Sequence, residues 1–179
     1  MSSNSWNQTL ISAQVDGSAL TNTTTATSIL PAAAKFSMWA NGLKIGDVLR
    51  VKASGRMSTA ASSPGTITFD VRAGSSTVIF NGGASGTLAT SATNLTWDLE
   101  AYLTVRAIGT SANVLGTGRL VSAALSATTP IHLLPTSAPA VGSNFDSTAS
   151  FVVDLFATWS VANASNSITL HQYELALLT

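Results

Sequence analysis

Apolar side chains recur at every second position from Leu95 to Ala107. Leu95, Trp97, Leu99, Ala101, Leu103, Val105 and Ala107 fall on one side, and Thr96, Asp98, Glu100, Tyr102, Thr104 and Arg106 on the other. A helix would scatter both sets around its axis. A strand sends alternate side chains to opposite faces, so this stretch reads as a long strand with one buried and one wetted face. The same period governs Leu49 to Met57, Thr66 to Ala73 and Phe151 to Val161. Between such runs stand Asn41-Gly42, Gly46-Asp47, Ser63-Pro64-Gly65, Ala73-Gly74-Ser75, Asn81-Gly82-Gly83 and Asn163-Ala164-Ser165-Asn166, all turn signals. The punctuation predicts strands near 8–15, 20–30, 34–40, 47–58, 65–73, 76–80, 94–108, 113–125, 151–162 and 167–178, with Asn81 to Gly86 as a loop tip. No amphipathic helix of useful length competes. The expected fold is all-β, an antiparallel jelly-roll sandwich of about eight to ten strands.

Two regions depart from the rhythm. Ala123 to Ser150 carries Pro130, Pro135 and Pro139, which remove ladder donors, and reads as a long connection or edge excursion. Within it Ile131-His132-Leu133-Leu134 is an apolar patch, either folded over the core or touching a partner. The first thirty residues are poorer in large apolar side chains. Residues 1–41 therefore read as an N-terminal docking segment with the first strands, and 42–179 as the jelly-roll domain, within one compact unit. Trp6, in that thin segment, is the tryptophan best suited to docking into a partner. Trp97 and Trp159 sit on apolar strand faces and belong to the core.

Charge narrows the function. Only 9 % of residues are charged, and 8 basic side chains balance 8 acidic ones without a basic cluster. Nucleic acid and anionic membrane surfaces are poor partners for such a chain. No apolar run reaches the roughly 18 residues of a membrane span, and Met1 to Asn7 lacks the features of a secretory signal. The absence of cysteine excludes thiolate metal sites and cysteine nucleophiles. The two histidines, His132 and His171, belong to no metal-binding or hydrolase motif. On alternation His171 shares an outer face with Thr169 and Tyr173. Carboxylate pairs such as Asp98 with Glu100, or Asp70 with Asp98, lie on outward faces alongside Arg50, Lys52, Arg56, Arg72 and Arg106. They read as cross-strand ion pairs rather than the acids of a glycosidase. No catalytic residue, metal ligand or cofactor site is expected.

A resemblance then adds to the residue reading. The segments Gly42-Leu43-Lys44-Ile45-Gly46-Asp47-Val48-Leu49-Arg50-Val51, Gly65-Thr66-Ile67-Thr68-Phe69-Asp70-Val71-Arg72, Trp97 to Arg106, Gly116-Thr117-Gly118-Arg119-Leu120 and Val153-Asp154-Leu155 through Trp159 to Leu170 resemble a family of small structural proteins of tailed-bacteriophage virions. The resemblance spans residues 42–178 and rests on core alternation and turn residues. It implies a jelly roll, often trimeric, without enzymatic activity. The expectation is a homotrimeric capsid decoration (cement) protein that is made in the host cytoplasm, sits on the capsid exterior and clamps major capsid protein subunits. Trp6, Ile131, His132, Leu133 and Leu134 would then be partner contacts. The alternative is the distal knob of a head or tail fibre binding host glycans, with Trp39 and Asn41 as glycan contacts. Ala, Ser and Thr together make up 76 of the 179 residues. Such short side chains lose little entropy when packed, which suits permanent interfaces.

Overall fold

A computed structural model describes residues 6–125 and 130–179; residues 126–129, part of the long connection, lie outside the described residues. Twelve strands follow in order: β1 (Asn7–Ser12), β2 (Leu20–Thr21), β3 (Thr27–Ser28), β4 (Phe36–Met38), β5 (Val48–Ser58), β6 (Ile67–Ala73), β7 (Thr77–Ala84), β8 (Leu95–Ala107), β9 (Asn113–Ser122), β10 (Ile131–Leu134), β11 (Phe151–Trp159) and β12 (Ser167–Leu178). One sheet runs β1-β12-β5-β8-β9-β10, with β2 also on β12; the other runs β3-β11-β6-β7, with β4 also on β11. Every pairing is antiparallel. The chain crosses between sheets so that β12 and β8 flank β5 in one layer while β11 flanks β6 in the other. That nesting makes the sandwich a jelly roll.

The alternation decides what is inside. On β8, Trp97, Leu99, Ala101, Leu103 and Val105 are buried, and on β11 Val153, Leu155, Ala157 and Trp159 meet them from the facing layer. Trp97 and Trp159 are fully buried; the Trp97 ring lies 5.3 Å from that of Phe69. Trp159 Nε1 donates to the Leu20 carbonyl at 3.1 Å, which fastens β2 over the core. Hairpin turns fall where glycine takes a left-handed backbone, at Gly74 (φ 72°) between β6 and β7 and at Gly109 (φ 108°) between β8 and β9.

The structure corrects four expectations. The 20–30 segment forms two strands of two residues each rather than one continuous strand. Asn81 to Ala84 extends β7 instead of forming a loop tip, because Asn81 Oδ1 accepts from the Gly83 amide (2.7 Å) and absorbs an irregular register without ending the ladder. The proline-rich stretch contains β10, which pairs with β9 at the sheet margin. In β12 a bulge between Leu170 and Gln172 shifts the phase by one residue, so Tyr173 turns into the core while Gln172 and Glu174 face out. Tyr173 and His171 therefore do not share an outer face.

Candidate functional site

The register of the larger sheet brings Ser12, Glu174, Lys52, Glu100, Arg119 and Leu133 into one row across its outward face. Signs alternate along its middle. Glu100 lies 3.4 Å from Lys52 Nζ and 3.0 Å from Arg119 Nη2, and it accepts the Tyr102 hydroxyl at 2.8 Å. The Tyr102 hydrogen bond, helped by Lys52 and Arg119 against partial burial, holds the Glu100 carboxyl below its ordinary range. The same bond pushes the Tyr102 phenol up. One strand over, Arg50 pairs with Glu174, while Arg56 donates to Thr96 Oγ1 at 2.7 Å instead of meeting a carboxylate.

Next to this row the sheet dips. A groove of about 650 Å³ is lined by Glu100, Tyr102 and Arg119 from β8 and β9, and by Leu133, Pro135 and Pro139 from β10 and the chain after it. Thr117 and Gly118 complete its β9 side. Gly118 is needed there, since a Cβ would come within 2.3 Å of the Glu100 carbonyl. Alternation marks Tyr102 as outward, but the proline wall comes from a distant segment whose path no local pattern reveals. The sequence points to Leu133 and Leu134 on this wall but not to the groove itself.

The two margins of the same sheet hold the other exposed features. At one margin β1 runs along β12, continued by a mutual backbone pair between Trp6 and Thr179 (3.1 and 3.0 Å). Trp6 is 69 % exposed there, and Val15 farther along is also exposed. At the other margin β10 leaves Ile131 56 % and Leu133 75 % exposed. Its two remaining side chains turn inward. Leu134 is buried, and His132 packs against Gly86, whose amide donates to His132 Nδ1 at 3.3 Å. Trp39 is 46 % exposed, with its indole laid on Gly42 and edge-on to Phe36. Asn41 adopts a left-handed turn (φ 56°) and its amide donates to the Ser147 carbonyl.

The smaller sheet carries Asp70 and Asp154. Asp70 and Arg72 lie on it and pair at 3.1 Å, with Arg72 over the Phe156 ring at 4.1 Å. Asp70 and Asp98 thus sit in different sheets, which rules them out as the two acids of one site. Burial of Asp70 outweighs the attraction of Arg72 and raises its pKa. Asp154 bonds Lys35 and the Ser28 hydroxyl, both at 2.7 Å, and ties β3 and the turn before β4 to β11. Among the described residues no three His, Cys, Asp or Glu side chains gather where they could hold a metal ion. No helix there is long and apolar enough to cross a membrane.

Fold and surface together define a jelly-roll β-sandwich with an ion-paired outer sheet and two apolar margins. No family model matches the chain, and no curated protein does. Among solved structures it is similar to peanut lectin bound to a nine-residue peptide, at 7 % identity and a TM-score of 0.44 over 99 % of both chains. A second similarity is to the CBM2 module of the evolved Dit of Lactobacillus casei BL23 phage J-1, at 7 % identity and a TM-score of 0.32 over 80 % of this chain and 68 % of that one. A third is to winged bean acidic lectin complexed with methyl-α-D-galactose, at 9 % identity and a TM-score of 0.35 over 98 % and 100 %. These likenesses are too distant to carry a functional argument.

Proposed function

We propose that this chain is a non-enzymatic virion structural protein, a homotrimer that decorates a phage capsid and clamps neighbouring major-capsid subunits. The observation that carries the assembly part is the pair of sheet margins. Trp6 and Val15 stand exposed at one margin, Ile131 and Leu133 at the opposite one. Unpaired strand edges with large apolar side chains are unfavourable in a lone soluble domain and favourable where another chain covers them. Because the two margins differ, one copy's β1 side meets the next copy's β10 side, a head-to-tail contact that closes into a ring when the rotation suits. The low charge and the wealth of Ala, Ser and Thr support permanent packing, and the resemblance over residues 42–178 supplies the virion setting.

Sedimentation of the isolated chain tests the assembly part; a monomer at high micromolar concentration overturns it. Binding to purified expanded capsids tests the decoration part. Trp6→Ser should weaken capsid binding or trimerisation without unfolding the sandwich. A second reading, the glycan-binding knob of a fibre, is favoured by the half-exposed indole of Trp39 next to Asn41. It requires Trp39→Ala to reduce adsorption of virions to host cells while particle stability stays unchanged.

A further inference from the structure

We infer that the groove between Tyr102, Glu100, Arg119, Pro135 and Pro139 binds a neutral saccharide. The inference goes beyond the assembly role, and it puts the sugar on a different surface from the one bearing Trp39. At about 650 Å³ the groove falls within the range of small-molecule sites, roughly 300–1,000 Å³. Its walls offer the ring of Tyr102, 39 % exposed, with Pro135 and Pro139, apolar surfaces that suit the C–H face of a pyranose. Its floor offers an acceptor and a donor side by side. Glu100 is held in place by Tyr102, Lys52 and Arg119, and Arg119 reaches it through Nη2 alone among its guanidinium nitrogens.

Adjacent sugar hydroxyls each need one donor and one acceptor, and a carboxylate beside a guanidinium provides both. The lining residues Glu100 and Arg119 cancel in charge, so a neutral ring is preferred over a uronate or a sialate. The site is also pre-arranged. Three donors fix the carboxylate, and Gly118 lets β9 approach the Glu100 backbone closely. The hydrogen bond between Glu100 and Tyr102 lowers the carboxyl and raises the phenol, which keeps Glu100 a charged acceptor. A peptide added as a strand would lie along β10 at the margin, not across the open face where this groove lies.

The test is a titration of the isotope-labelled full chain, separately with lactose, maltose, cellobiose and diacetylchitobiose, followed by amide NMR shifts. At least one disaccharide should move Tyr102, Thr117, Gly118 and Arg119 saturably. Tyr102→Ala should weaken that binding about tenfold, the worth of one aromatic contact, and Trp39→Ala should leave it unchanged. Arg119→Leu serves as a second variant if Tyr102→Ala perturbs the fold. The inference is overturned if none of the four sugars moves these amides up to its solubility limit. It is equally overturned if the shifts centre on Trp39 and Asn41, or if binding survives both groove variants. Sedimentation of the same samples reports the oligomeric state, so failure here leaves the assembly reading standing and failure there leaves this one intact.

Discussion

Leu133→Asp gives the sharpest test of the proposed head-to-tail contact, because its effect would be multiplied by symmetry. Complete burial of a leucine contributes about 1.5–3 kcal/mol. Leu133 has 75 % of its surface still to bury, so each contact would lose about 2 kcal/mol. A ring of three has three such contacts, and the trimer loses about 6 kcal/mol in all. At about 1.4 kcal/mol per decade, the monomer–trimer constant falls by about four decades. That constant carries concentration squared, so the concentration of half-dissociation rises by about two decades. A carboxylate left without a partner in the seam would add to the loss. Sedimentation velocity over a dilution series reads the change directly. Melting of the isolated subunit should be unaltered, since Leu133 does not enter the core. A half-dissociation concentration within about threefold of the parent's, a shift of less than about 1.4 kcal/mol per trimer, refutes the placement of Leu133 in the contact.

Asn166 is fully buried, accepts from the Ala60 amide and donates to the Pro64 and Val161 carbonyls. Asn166→Ala leaves those groups unmatched and should cost about 3–5 kcal/mol, read as a drop in Tm of roughly 6–20 °C; a drop below about 3 °C contradicts the three-bond account. Gly55→Ala would place a methyl 1.9 Å from the Thr169 carbonyl in the centre of the larger sheet, so its urea midpoint should fall by the equivalent of about 3 kcal/mol. Glu100 titrates below its ordinary value in the folded state, so its stabilisation is present above the unfolded pKa and lost as pH falls through the folded one. Glu100→Gln should flatten that acid limb. In the same variant the phenol of Tyr102, raised by Glu100, should titrate nearer its ordinary value in an alkaline difference spectrum. Tyr173, raised chiefly by burial, should keep its position, and an unchanged spectrum contradicts the Tyr102–Glu100 bond.

How much of this was legible depended on whether the signal was local. The long strands were, because Trp97 and its partners at every second position admit no other backbone that buries them together. The ion-paired face was legible in part: Glu100 and Glu174 pair with Arg119, Lys52 and Arg50 as outward charges on neighbouring strands can, but Arg56 bonds Thr96 and Asp98 joins no pair among the described residues. The identity of the partners was not: Glu100 to Arg119 is a matter of register, set by the length of the β8–β9 turn. β10 was hidden because all of Ile131 to Leu134 is apolar or aromatic, so no alternation separates the two faces, and prolines flank it. The phase change at His171 was hidden because a bulge is one extra residue and leaves no compositional trace. The groove was invisible for the strongest reason, in that its proline wall lies 16 residues or more beyond Arg119 and 33 or more beyond Glu100 and Tyr102.

One property of the strand order bears on how the chain comes into being. β12 lies between β1 and β5, and β11 between β4 and β6. The strands that join β1 to β5 and β4 to β6 therefore come from residues 151–178, made after every strand they join. Until they emerge, β1 has no neighbour, β5 is covered on one flank only, and neither layer can close. Closure of both layers is thus gated by synthesis of this distal segment. A ribosome that stalls before residue 151 releases a chain with no route to the finished architecture. Copies cut short there lack the strands that complete either layer.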